Sequence, residues 1–322
     1  MTTQARELFR FRNAPTLFLT VTNKCNLNCL DCYSKHKDNK DEVADLSSMV
    51  DAITEIAPGK LVVTGGEPLL YPNRVLGMIN YFRTDYRQHW DITLCSNLCF
   101  KELSKEQLDV IRHCDYIQTS YSIDRFENND LFEYFKNNIT TIKNLENSSI
   151  KKIDLIVTLT KKQVEDCTVD NLVDSIESLD IDGVSFEQFT FITEDPLFNI
   201  QQFYRISDEY MLSCCRLIKN KELLNFNNWK IAMDNNILLH CNLCDSGYCK
   251  VFNVDAGSTK DGCTCCITSK TSRKDRLYKF THHCIECKYY KYCGMDCERF
   301  GKNCAFPKKT FQYFLDNIKE NI

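Results

Sequence analysis

Between Thr16 and about Asn220, short β-rich runs alternate with stretches whose apolar residues recur at helical spacing, the pattern of consecutive βα units with parallel strands. Strands are predicted at Thr16 to Val21, Lys60 to Thr64, Asp91 to Cys95, Tyr116 to Ser122, Ile153 to Leu159 and Gly183 to Phe189. The intervening stripes are helical: Val43, Leu46, Val50 and Ile53, then Val75, Leu76, Ile79 and Phe82. Ser104 followed by Gln107 predicts a capping box opening the third helix, whose inner face is Leu108 and Ile111. Leu131, Phe135, Ile139 and Ile142 form the fourth stripe, Leu172, Val173, Ile176 and Leu179 the fifth, and Phe203, Ile206, Tyr210 and Leu217 the sixth.

Six units are fewer than the eight that close a full barrel, so the expected fold is α/β, a partial (β/α)6 TIM-type barrel. After Asn220 the periodicity lapses. From His240 to Cys304, eleven cysteines sit among short, glycine-punctuated segments, which predicts a small cysteine-rich iron-sulfur domain organised by metal. The expected division is 14–235 for the barrel and 236–322 for the cysteine-rich domain.

A net charge of -4 and a pI near 5.9, without a Lys/Arg block, give no footprint for nucleic acid. The apolar run Leu17 to Val21 is too short for a signal-peptide core or a membrane span, so a cytoplasmic location is expected. In that reducing compartment, twenty cysteines argue for metal or iron-sulfur ligation over disulfides.

The first chemistry-bearing group is Cys25-Asn26-Leu27-Asn28-Cys29-Leu30-Asp31-Cys32, a C-x3-C-x2-C run. Structural zinc and ordinary four-iron clusters take four ligands, so a compact set of three supplies a four-iron cluster with one iron left open for chemistry. The alternative is a zinc site completed by His36 or a distant cysteine. Thr64-Gly65-Gly66-Glu67-Pro68 follows the second strand, Ser96-Asn97 the third and Ser122-Ile123-Asp124 the fourth. All lie at strand carboxyl ends, where βα loops converge on one active face. The Gly-Gly pair, lacking Cβ atoms, is expected to let backbone approach a ligand closely.

Together these motifs resemble the radical S-adenosylmethionine (radical SAM) superfamily over roughly residues 14 to 220. The resemblance implies that Cys25, Cys29 and Cys32 hold a 4Fe-4S cluster whose open iron chelates S-adenosyl-L-methionine. It implies that Gly65, Gly66 and Glu67 contact the methionine amino group and that Asn97, Ser122 and Asp124 sit near the ribose. Asp31 stands where the family usually has an aromatic residue before the third cysteine, although Tyr33 follows. A strongly reducing cluster, down to about -700 mV, can cleave the sulfonium bond and release a 5′-deoxyadenosyl radical.

The second cysteine set is Cys284-x2-Cys287-x5-Cys293-x3-Cys297, with Cys304 after it. Structural zinc uses similar pairs. The spacing also resembles the SPASM extension found behind radical SAM barrels, which implies two auxiliary 4Fe-4S clusters. The first would take Cys244 or Cys241, then Cys249 before a β-hairpin, one of Cys263, Cys265 or Cys266 after it, and Cys297. The second would take Cys284, Cys287, Cys293 and Cys304. Cys95, Cys99, Cys114, Cys167, Cys214 and Cys215 are read as small buried residues, with Cys95 and Cys99 closest to the active face.

Two fully ligated auxiliary clusters favour electron relay, and hence an oxidative radical reaction: dehydrogenation or cross-link formation on a peptide or protein. An external one-electron reductant such as flavodoxin or ferredoxin is implied as partner. A small metabolite, such as an aminoglycoside or sugar-like alcohol, is the alternative substrate, and a zinc-binding adaptor is the non-enzymatic alternative. With the barrel starting about 15 residues from Met1, no separate leader-binding domain is expected. Glu187 and Tyr121, the catalytic candidates, and the neighbouring Gln188 are candidates for substrate contact or proton removal.

Overall fold

The computed structural model describes residues 16–29, 32, 42–85, 91–123, 129–188, 200–234, 249–253, 258–261, 289 and 306–320. The chain runs β1 (Thr16–Thr20), α1 (Leu46–Ile56), β2 (Lys60–Thr64), a 3-10 turn (Pro68–Leu70), α2 (Pro72–Asp85), β3 (Asp91–Cys95), α3 (Lys105–Arg112), β4 (Tyr116–Tyr121), α4 (Asn129–Lys143) and β5 (Lys152–Leu159). It continues with α5 (Lys161–Asp166), α6 (Val169–Glu177), β6 (Gly183–Gln188), α7 (Ile200–Leu217), β7 (Glu222–Leu223), α8 (Leu224–Asp234), β8 (Cys249–Asn253), β9 (Ser258–Asp261) and α9 (Lys308–Glu320).

The fold is α/β, and all six expected strands form. The chain divides into two compact units: Met1–Ser120, Arg125–Leu155 and Leu243–Thr268 in one, and Tyr121–Asp124, Ile156–Asn242 and Ser269–Ile322 in the other. A single cut near residue 235 does not describe this division. In the first unit the strand order is β5-β4-β3-β2-β1-β8-β9. Parallel ladders join β1 to β2, β2 to β3 and β3 to β4. In the second unit the order is β7-β6-β5, and β6 pairs with β7 in parallel.

β8 was expected in a separate cysteine-rich domain, yet it lies parallel beside β1, Thr16 opposite Cys249 and Leu19 opposite Phe252. β9 then returns antiparallel, closing a hairpin. The reason is local: β1 needs a partner on its second edge, and Lys250-Val251-Phe252 offers residues that suit a pleated surface.

In the first unit, alternate strand positions are sealed from solvent: Leu17 and Leu19, Leu61 and Val63, Ile92 and Leu94. Met49, Ile53, Met78, Ile79, Phe82, Val110, Ile111, Phe135 and Ile139 supply the matching helix faces. The other strand row carries partly accessible Phe18, Cys95, Gln118 and Ser120. Period two thus separates a greasy packing face from a more polar one.

The helix stripes differ from expectation at their ends. Leu46 is 37% and Leu217 42% exposed, and Val43 lies before α1, in an isolated bridge to Thr22. Asp45 caps α1 by accepting from the amides of Ser47 and Ser48, which places Leu46 in the first turn at the rim. The capping box at Ser104 and Gln107 forms as expected. In α7 the buried face runs through Phe203, Ser207, Tyr210, Met211 and Cys214 and continues to Ile218 just past its end, so Leu217 falls one position off it.

Among the described residues no helix is long and apolar enough to cross a membrane.

Candidate functional site

The loop carrying the three cysteines leaves β1 and is held along its first residues by the turn after β2. The Gly66 amide donates to the Thr22 carbonyl (2.7 Å) and the Glu67 amide to the Lys24 carbonyl (2.8 Å). A Cβ on Gly65, where φ is 154°, would lie 2.5 Å from the Thr22 oxygen. One on Gly66 would lie 2.2 Å from the Lys24 oxygen. Both glycines are therefore demanded by the backbone of the cysteine loop. With these two amides spent inward, a carbonyl such as that of Gly66 is the kind of group this turn can offer to an ammonium donor.

Glu67 departs from its expected part. Its carboxylate is fully buried and accepts from the Leu69 amide (3.0 Å), the Ser96 hydroxyl (2.9 Å) and the Asn97 amide (2.7 Å). The side chain expected on an amino group instead fastens the turn after β2 to the turn after β3. Burial explains the choice, since a sequestered carboxylate must find donors nearby. Gln107 adds a brace from α3, donating to the Leu69 carbonyl (2.9 Å). Asn138 of α4 donates to the carbonyls of Leu98 (2.9 Å) and Phe100 (2.7 Å), steadying a turn in which Leu98 adopts a left-handed φ of 53°.

Asn97 was expected near a ribose, and its amide is engaged elsewhere. Its Oδ1 accepts from the Cys99 amide (2.8 Å), while its Nδ2 donates to Asn26 Oδ1 (2.8 Å) and reaches Cys25 Sγ at 3.5 Å. Asn26 Nδ2 in turn donates to the Cys99 carbonyl (2.8 Å). Sequence reasoning passed over Asn26, whose signal was present: a short amide side chain directly after the first cysteine of the run.

Cys25, Cys29 and Cys32 are half-buried free thiols. Burial pushes the Cys25 thiol up to about 11; the Leu27 amide, 3.4 Å from its sulfur, pulls it back, and the charges of Glu67, Cys32 and Cys29 add to the rise. Cys25 is thus near enough to both other thiols to feel them. Among the described residues no three ligand side chains close on a single metal ion. A multi-iron cluster takes each thiolate on a different iron, and three thiols in one short loop are a donor set of the chemistry that group needs.

Cys95 and Cys99 separate in character. Cys99 is buried with its thiol on the Asn97 carbonyl (3.2 Å). Cys95 donates to Gln118 Oε1 (3.4 Å), and burial pushes its thiol up to about 12, with Lys60 opposing. Cys114, Cys214 and Cys215 are core, as expected.

In the second unit, Tyr121 is buried, bonded to Ser175 of α6 and close to Cys167, and burial raises its phenol. Its hydroxyl is held on α6. Ser122 is buried too. Gln188 donates to Ser207 (2.7 Å) on α7, so its neighbour Glu187, exposed, points to the opposite strand face. Cys249 opens β8 at the head of the expected hairpin. Asp124, Cys241, Cys244, Cys263, Cys265, Cys266, Cys284, Cys287, Cys293, Cys297 and Cys304 lie outside the described residues.

Residues 19–173 match the family model described as the Radical SAM superfamily. An uncharacterised protein of Methanocaldococcus jannaschii is 32% identical over 123 residues, 38% of this chain and 42% of that one. A GTP 3′,8-cyclase of Clostridium acetobutylicum is 34% identical over 91 residues, 27% of this chain and 28% of that one. The chain thus spans less than half the length of these curated relatives. In fold, it is similar to native anSMEcpe solved with bound AdoMet and Kp18Cys peptide, with a TM-score of 0.68 at 14% identity over 95% of this chain and 99% of that one.

Proposed function

We propose, from the premise that residues 19–173 form a radical SAM domain, that this protein is an enzyme that cleaves S-adenosyl-L-methionine reductively and oxidatively modifies a peptide or protein. The observation that carries the reading is the fastening of the three-cysteine loop to the turns after β2 and β3 through Gly66, Glu67 and Asn97. Cys25, Cys29 and Cys32 would hold a 4Fe-4S cluster, and the Gly65-Gly66 carbonyl edge would receive the methionine ammonium. The chemistry such a cluster would supply there is a single electron to the sulfonium bond, giving a 5′-deoxyadenosyl radical.

The remaining work falls to the chain. Glu67 keeps two turns in register, and Asn97 orients the first cysteine of the loop. Ser122 and Asp124 would stand toward the ribose. Glu187, exposed on the strand face away from α7, would accept the proton that leaves an oxidised substrate. Two auxiliary clusters would be held by Cys244 or Cys241, Cys249, one of Cys263, Cys265 and Cys266, and Cys297, and by Cys284, Cys287, Cys293 and Cys304. Flavodoxin or ferredoxin would deliver the electron.

A peptide substrate is favoured because a protein of the same fold was solved with a peptide bound. A small-molecule substrate is the second reading, favoured by the sequence match to GTP 3′,8-cyclases. Anaerobic, iron-reconstituted protein given dithionite is expected to release 5′-deoxyadenosine and to carry about twelve irons per chain. No 5′-deoxyadenosine from the intact protein, or release undiminished in Cys29→Ala, would overturn the reading.

A further inference from the structure

The three thiols of the loop are not equivalent. Cys25 Sγ has two N–H donors aimed at it, the Leu27 amide at 3.4 Å and Asn97 Nδ2 at 3.5 Å. Among the described residues, neither Cys29 nor Cys32 receives such a donor at sulfur.

We infer that Asn97 is a positioning residue that sets the reduction potential of the iron nearest Cys25, through an amide N–H held on that sulfur. This rests on the reading of Cys25 as a cluster ligand.

The orientation of the Asn97 amide is fixed by its partners. The Cys99 N–H can only donate, so the atom of Asn97 facing it at 2.8 Å is the oxygen. The NH2 group then turns toward the cysteine loop. The Cys99 carbonyl can only accept, which turns the NH2 of Asn26 toward it and leaves Asn26 Oδ1 facing Asn97. Asn97 Nδ2 therefore has two hydrogens and two acceptors, Asn26 Oδ1 and Cys25 Sγ. A single residue, Cys99, settles both flips with its backbone, and Glu67 pins the Asn97 amide from below at 2.7 Å.

Hydrogen bonds to ligand sulfur withdraw charge from an iron-sulfur centre and favour its reduced form. The Glu67 carboxylate lies close enough to act on Cys25 and works in the opposite sense, by adding negative charge. Asn97 thus stands between a buried anion and the sulfur, binding one with its backbone and the other with its side chain.

The test is a redox titration of the SAM-sensitive cluster signal in anaerobic, reconstituted protein by low-temperature paramagnetic resonance. Asn97→Leu keeps the heavy-atom count and branching of the side chain and removes both N–H donors. At fixed ambient potential its reduced fraction ratio is expected to fall about tenfold, equivalent to about 59 mV for a one-electron couple, with iron and sulfide content unchanged. Asn97→Asp, which aims an oxygen at the sulfur, is expected to fall further. If the leucine variant loses the cluster, Asn97→Ser is titrated instead, with the same expectation of a fall.

An unchanged potential in a variant that retains the cluster overturns the inference. Cys25→Ala is run beside it. If that variant keeps the SAM-sensitive signal, the ligand assignment fails; if it loses the signal while the Asn97 variants titrate like the parent, only the role of Asn97 fails.

Discussion

The turns after β2 and β3 and the clasp around α9 are both well fastened, by opposite means. The first is a lattice of directed polar bonds, with Glu67, Ser96, Asn97, Asn26 and Asn138 each holding a named partner within 3.0 Å. The second is an aromatic cluster. Trp229 meets Phe311 edge-on at 5.0 Å and Phe314 at 5.4 Å, Phe226 meets Phe314 at 5.3 Å, and Tyr289 stacks on Phe306 at 5.2 Å. Rings tolerate sliding and contribute mainly area and dispersion; a hydrogen bond that is displaced is simply lost. The lattice is suited to fixing where a sulfur atom sits, the clasp to keeping a helix folded.

Exchange of roles would break this comparison. The largest effect is expected for Gly66→Ala, whose methyl meets backbone that cannot yield: about 3 kcal/mol or more of stability in denaturant titration, with loss of cluster iron on reconstitution. Trp229→Ala should cost about 3–5 kcal/mol by the same measurement, while 5′-deoxyadenosine release per folded molecule stays near that of the parent. A Trp229 variant that folds normally but fails in cleavage would put the clasp in the chemistry.

Asp208 shows that the clasp has one polar lock. Buried on α7, it accepts from the amides of Lys309 (2.8 Å) and Thr310 (3.1 Å) and from the Thr310 hydroxyl (2.8 Å), capping α9 from outside the helix. Asp208→Ala is expected to cost about 1–2 kcal/mol, read as early hydrogen exchange in α9. Tyr121→Phe should cost about 1 kcal/mol or less and leave cleavage kinetics unaltered; a large kinetic defect would place it on the active face.

The smallest effect concerns acid. Burial pushes the Glu177 carboxyl up, but the amides of Lys219 and Asn220 outweigh it and hold it below its ordinary range. Its contribution is present above the unfolded carboxylate value, about 4.3, and drains away as pH falls through the lower folded value. Glu177→Gln should therefore unfold slightly earlier than the parent at pH 7, and the difference should shrink as the pH falls through the lowered folded value.

The strands were legible because each places hydrophobic residues every second position against helices whose stripes recur at three and four. The short elements were not: α5 has one helical turn and a half, and β7 has two residues, too few for any period to register. α9 escaped because its aromatic face, Phe311 and Phe314, follows a cysteine-rich stretch that drew the reading toward metal. At the site, the cysteine spacing and the Gly-Gly-Glu-Pro turn marked two loops that the fold fastens together. The part played by each side chain was illegible, because Glu67 and Asn97 take their partners from loops about 30 and 70 residues away, across spacings that sequence order does not encode.

The parallel pairing of β1 with β8 has a consequence for synthesis. β1 emerges from the ribosome first and gains β2 early, but its other flank waits for residues 249–253. Until then the nascent chain displays an unfinished border of amides and carbonyls beside its cysteine-bearing loop, open to mispairing with another chain. Protection during translation, by a chaperone or by slow elongation, should raise the yield of native protein more than any adjustment made after release.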